Sequence, residues 1–84
     1  MSLGAIRQVA VLLSMIERMS NRAKDEFTLP VSRYEIADYL AISAETVSRS
    51  LTGLKHRGAI AIEGTRKIKI RDRETLQIAV GRVG

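Results

Sequence analysis

Three side chains in the middle of the chain could read a nucleobase: Glu45, Ser48 and Arg49. An arginine guanidinium is a planar fork that matches the O6 and N7 acceptors of guanine. A carboxylate accepts from the cytosine amine, and a serine hydroxyl bonds either way or touches a thymine. Spacing decides whether they can act together. At about 100° per residue in a helix, with Glu45 at zero, Ser48 falls near 300°, Thr52 near 340° and Arg49 near 40°. Val47, Leu51 and Leu54 fall near 200°, 240° and 180° on the same count. The stretch therefore has an aliphatic side to bury and a polar side facing out, with the base-competent residues in its first half. His56 lies on the polar side farther along, either as a backbone contact or as an incidental surface residue. A plainer role fits the same spacing: Glu45 and Arg49 are i, i+4, in the favourable order for an exposed ion pair of about 0.2–0.5 kcal/mol. Spacing alone leaves both readings open.

The elements that would hold this helix are marked on either side of it. Ser43 is a good N-cap, and Gly58 is a stop just beyond a helix over 44–57. Upstream, Ser32 and Glu35 form an S-x-x-E capping box that starts a short helix over 33–40, with Ile36, Ala37 and Leu40 inward. Ala41, Ile42 and Ser43 break the period between the two. Downstream, Ile60-Ala61-Ile62 and Lys67-Ile68-Lys69-Ile70-Arg71 alternate around Glu63-Gly64-Thr65-Arg66, which predicts a β-hairpin wing over 59–71. Its isoleucines face the core and Lys67, Lys69 and Arg71 face out. Asp72 caps a last helix over 73–80, with Leu76, Ile78, Ala79 and Val80 as its apolar content.

At the other end, Ile6, Val9, Ala10, Leu13 and Ile16 give a helix over 5–20. Val11, Leu12 and Met15 widen its apolar arc, as in a helix packed on both sides or one that touches a second domain or chain. Residues 20–26 read as a polar loop. Residues 27–31 are β-prone, but Pro30 limits them to an edge strand or an extended approach. The order predicts a mainly α domain with a small β-hairpin, a winged helix-turn-helix of three core helices plus a wing. The domain is expected over 5–84, with residues 1–4 an expression remnant outside it.

Composition narrows the function. Of 84 residues, none is cysteine and one is histidine, which excludes cysteine-ligated zinc or iron–sulfur sites and the usual multi-histidine metal site. No cofactor is expected in this domain. No serine has a plausible histidine and carboxylate arrangement and no glycine-rich phosphate loop exists, so an enzyme is not expected. No apolar run approaches the roughly 18 residues that span a bilayer, and no signal peptide is expected. A cytoplasmic, nucleoid-associated protein without membrane contact is expected. The net charge is +5, yet residues 1–48 sum to −1 and residues 49–73 to +6. Phosphate binding needs a local field of this kind. One Phe and no Trp argue against single-strand binding by stacking, and Tyr34 and Tyr39 are expected to pack.

The stretch Leu29-Pro30-Val31-Ser32-Arg33-Tyr34-Glu35-Ile36-Ala37-Asp38-Tyr39-Leu40, followed by Glu45-Thr46-Val47-Ser48-Arg49, resembles the C-terminal DNA-binding domain of bacterial CRP/FNR transcription regulators, closest to the FNR and FixK branch. The match is strong over residues 28–58 and looser outside them. The resemblance implies a domain that binds double-stranded promoter DNA as part of a homodimer, and RNA polymerase is a further partner to be expected of it. It also implies that Glu45, Ser48 and Arg49 read a TTGA-type half-site. Ala44 stands where the cyclic-AMP receptor pattern has arginine, which favours the FNR-like preference. Ala41 stands where the turn commonly carries glycine, at a cost on the order of 1 kcal/mol if φ is positive. The family's effector-sensing domain and dimerisation helix are absent from this chain, and the first helix resembles the one that follows that helix.

On this reading Ser32, Arg33, Ser43, Thr46, Thr52, Lys67 and Lys69 position phosphates. The alternative is a winged-helix protein-interaction module whose basic wing binds an acidic partner or polymerase. That role would tolerate loss of Arg49 and prefer exposed apolar residues on the second helix of the motif, where the outward face is polar.

Overall fold

A computed structural model describes residues 3–20 and 25–81. The chain forms α1 (Leu3–Met19), β1 (Glu26–Thr28), α2 (Arg33–Leu40), α3 (Ala44–His56), β2 (Ile60–Glu63), β3 (Lys67–Ile70) and α4 (Arg73–Val80). The strands make one antiparallel sheet in the order β1-β3-β2. Its register pairs Phe27 with Ile68 on one side of β3 and Ile62 with Ile68 on the other. The fold is a winged helix-turn-helix whose wing is a three-stranded sheet rather than a lone hairpin.

One core joins all of it. Val9, Ala10 and Leu13 of α1 meet Ile36 and Ala37 of α2, Val47, Leu51 and Leu54 of α3, and Ile60 and Ile68 of the sheet, all buried. Alternation along β3 puts Ile68 and Ile70 inside and Lys67 and Lys69 outside, as a strand with one wet face requires. Gly58, at φ 78, turns the chain out of α3, and Ala59 then donates to the Leu54 carbonyl at 3.1 Å. That left-handed position suits glycine.

Several sequence expectations are corrected. The first helix starts at Leu3 and ends at Met19, not over 5–20, so Leu3 and Gly4 of the stretch set outside the domain are helical. Residues 1 and 2 of it, 21–24 of the expected loop and 82–84 of the expected domain lie outside the described residues. The extended piece over 27–31 is a strand that starts at Glu26 and stops before Pro30, with Leu29 donating to the Arg66 carbonyl at 2.8 Å. The third helix ends at His56, with Arg57 as C-cap. Tyr34 and Tyr39 do not pack: they are 75% and 72% exposed. Their positions on α2 fall away from the stripe of Ile36 and Ala37, and the helix is too short to wrap a core around both sides. Ile78 is likewise exposed on α4.

A charged strut ties the back of the domain together. Glu17 is buried in α1, and Arg73 at the start of α4 reaches both of its oxygens, at 2.7 Å to Oε1 and 2.6 Å to Oε2. The same guanidinium donates to Asp25 Oδ1 at 2.5 Å. Hydrogen bonding to Glu17 above all pushes Arg73 further up from its already basic range. A buried carboxylate without such a partner would be strongly destabilising.

Candidate nucleic-acid interface

The α2–turn–α3 unit is built by its caps. Ser32 Oγ accepts from the Glu35 backbone N–H at 3.2 Å, and Glu35 Oε1 accepts from the Ser32 N–H at 3.0 Å, which closes the capping box. The bond from the Ser32 backbone, then that from its hydroxyl, holds the Glu35 carboxyl below the usual range, with help from the nearby Arg66 charge. At the other end of α2, Ala41 sits at φ 57 and ψ 43, in the left-handed region. There it lets Ile42 donate to the Ala37 carbonyl at 3.0 Å and turns the chain sharply. Ser43 then caps α3: its Oγ accepts from Thr46 N–H at 3.0 Å and lies 2.7 Å from Thr46 Oγ1.

These constraints aim α3. Val47, Ser50, Leu51 and Leu54 are buried, while Glu45, Arg49, Thr52 and His56 are exposed and Ser48 is half-buried. Glu45, Ser48, Arg49, Thr52, Gly53 and His56 line one shallow, open concavity along the outer side of the helix. Arg49 Nη2 donates to Glu45 Oε1 at 2.5 Å, so the i, i+4 pair forms. Its side chains remain 67% and 70% exposed, beneath no other part of the fold. An exposed pair of this kind is worth about 0.3–0.5 kcal/mol, against about 1–3 kcal/mol for a good bidentate base contact, so the pair does not lock the guanidinium away.

Among the proposed phosphate residues, the structure distinguishes the two wing lysines. Lys67 Nζ lies 3.6 Å from Glu26 and 3.9 Å from Glu63, whereas Lys69 has no ion pair among the described residues. Thr52 is exposed beside the base-competent set, and Ser43 and Thr46 have their hydroxyls turned to each other. Ser32 and Arg33 line a second cleft, between the N-terminus of α2 and the wing turn, with Tyr34, Thr65 and Arg66. Arg33 also crosses the motif, its Nη1 donating to Ser48 Oγ at 3.1 Å. Arg66 and Tyr34 were not among the sequence candidates. A turn residue carries no periodic signal, and nothing local reveals that the wing folds back to α2.

The fold and this helical face define a winged helix-turn-helix domain, and comparison with known proteins gives its family. Residues 7–78 match the Crp-like helix-turn-helix domain. The chain belongs to that family, as a C-terminal helix-turn-helix domain of the CRP/FNR transcription regulators, DNA-binding proteins that are not enzymes. It is 42% identical over 71 residues to the nitrogen fixation regulation protein FixK of Rhizobium meliloti, covering 84% of this chain and 33% of that protein. It is 40% identical over 75 residues to the transcriptional activator FnrL of Cereibacter sphaeroides, covering 81% of this chain and 30% of that one. The structure of FixK2 from Bradyrhizobium japonicum superposes with a TM-score of 0.84 at 35% identity, over 95% of this chain and 40% of that one. The chain thus spans about a third of the length of these relatives. No described helix is long and apolar enough to cross a membrane.

Proposed function

We propose that this chain binds duplex DNA sequence-specifically, with α3 in the major groove of a TTGA-like half-site and the wing against the flanking backbone. Glu45, Ser48 and Arg49 read bases; Ser32, Arg33, Ser43, Thr46, Thr52, Lys67 and Lys69 position phosphates. The whole protein acts as a homodimer on promoter DNA, RNA polymerase is a further partner, and the domain itself needs no cofactor. The observation that carries this reading is the division of α3: its aliphatic side is sealed into the core, while Glu45 and Arg49 stand open to solvent on the other. Concentration of +6 within residues 49–73 supports it, because neutralised phosphates supply most of the affinity.

The test is a fluorescence-anisotropy titration against a palindromic TTGA-type duplex and a shuffled duplex at several salt concentrations, with a tethered dimer beside the single chain. The palindrome should bind more tightly, steeply weakened by salt, with log K falling by about 0.9 per phosphate neutralised for each decade. The tethered dimer should bind far more tightly than the single chain, since its second half-site contact becomes intramolecular. Equal binding of the two duplexes by both proteins defeats the proposal.

A further inference from the structure

Arg33 stands among the phosphate contacts, yet its guanidinium is already engaged with α3. Fifteen residues separate it from Ser48, and the bond between them, Nη1 to Oγ at 3.1 Å, is partly buried. We propose that Arg33 is a positioning residue for base recognition, holding the Ser48 hydroxyl so that it faces the groove as a hydrogen-bond donor. The inference rests on the reading of α3 as the recognition helix.

Hydrogen-bond capacity decides how the Ser48 hydroxyl is used. A serine hydroxyl has one proton to give and two lone pairs to receive with, and it rotates to suit its surroundings. On a helix it can also turn back to the carbonyl four residues earlier and be lost to any ligand. An unrestrained Ser48 could therefore serve a base donor, a base acceptor or its own helix. A guanidinium has five N–H groups and no acceptor. Once Arg33 donates to Ser48 Oγ, one of its two lone pairs is taken on the α2 side, and the proton turns away from the guanidinium towards the groove.

The charge on Arg33 strengthens this bond over a neutral one. The consequence is a base preference. In the major groove thymine O4, guanine O6 and N7 and adenine N7 are acceptors, whereas cytosine offers only the N4 donor. Ser48 held in this way favours thymine, guanine or adenine over cytosine. The remaining N–H groups of Arg33 stay available to a phosphate, so the same side chain can anchor the backbone while it orients the base-facing hydroxyl.

The arrangement makes the base preference at one position depend on a residue of the other helix. The experiment is a double-mutant cycle on the whole chain with Ser48→Ala, Arg33→Met and both together. Methionine keeps the length and helix preference of arginine and removes its donors. Binding is measured by anisotropy on a duplex set in which each base pair of the TTGA-type half-site is varied in turn.

Ser48→Ala should flatten preference at one base pair by about five- to tenfold, the factor one hydrogen bond carries. Arg33→Met should flatten the same base pair to a similar extent, on top of a uniform loss on every duplex, and the double variant should lose nothing further there. Arg33→Ala repeats the comparison should methionine perturb folding. A merely electrostatic Arg33 would weaken all duplexes by one factor and leave the Ser48 position as selective as in the parent, which overturns the inference. So does a preference for cytosine at that position, or a Ser48→Ala chain that flattens no position. A parent that discriminates while Arg33→Met loses uniformly sinks this inference alone. A parent that does not distinguish the palindrome from the shuffled duplex sinks the recognition reading as well.

Discussion

Replacing Arg49 by alanine separates the two roles its position allows. In the free chain its polar partner is Glu45, 2.5 Å away, with both side chains about two-thirds exposed. Removing that pair should cost folding only about 0.3–0.5 kcal/mol, partly offset by the better helix preference of alanine. For a domain of this size that is a fall of about 2–4 °C in Tm at most. On a TTGA-type duplex the loss should be larger, about 1–3 kcal/mol or five- to 150-fold in Kd, because a bidentate contact with a guanine disappears. Alanine also leaves Glu45 uncompensated before the DNA, so Glu45→Ala in the same chain should recover part of the affinity but none of the base preference. On shuffled duplex the variant loses one cation and little else. Anisotropy on both duplexes, with a thermal melt followed by circular dichroism, measures all of these. Equal losses on both duplexes would mean that the guanidinium meets only the backbone, and none on either that it serves only its neighbour one turn away; both refute base reading.

Other consequences of the geometry can be checked alongside. Lys69→Ala should weaken all duplexes alike and lower the salt slope by about one, while Lys67→Ala should do so less because Glu26 and Glu63 already compensate it; a greater effect at Lys67 in salt titrations contradicts the assignment. Ala41→Gly should raise Tm by a few degrees, since relief of about 1–2 kcal/mol of left-handed strain exceeds the 0.4–1 kcal/mol that glycine adds to unfolded-chain entropy; a lower melting point refutes it. Folding holds the Glu35 carboxyl below its unfolded value, so the unfolded chain takes up the proton first. The stability this contributes is complete above the unfolded value and is lost as pH falls through the folded one. Glu35→Gln should therefore flatten the decline in Tm below the ordinary carboxylate range, and an unchanged acid limb argues against the capping box as its source.

What could be read from the sequence was local. Ser32 with Glu35, Ser43 ahead of Thr46, Gly58 after α3 and Asp72 before α4 are cap chemistry written within four residues, and the structure uses each of them as a helix boundary. The two sides of α3 follow from a 3.6-residue period. The rest depends on contacts between distant segments. Glu17 and Arg73 are 56 residues apart, and an isolated acid on an apolar helix gives no hint of its partner. Ser50 is completely buried on α3 beside Val47 and Leu51 although its type suggests an outward position. Lys67 reads as one more outward lysine until β1 brings Glu26 to the neighbouring edge. The exposure of Tyr34 and Tyr39 likewise follows from which side of an eight-residue helix the core occupies, and aromatic type alone does not reveal it.

The shortness of the outer strands bears on how copies of the domain meet when crowded. β1 has three residues and runs straight to Pro30, which has no N–H to offer, and β2 has four. Such brief margins give a stray polypeptide almost no template to extend, which is how natural sheets avoid fibrillar growth. Copies of the domain pressed together would thus touch through side chains, and release from one another would not require tearing a shared ladder.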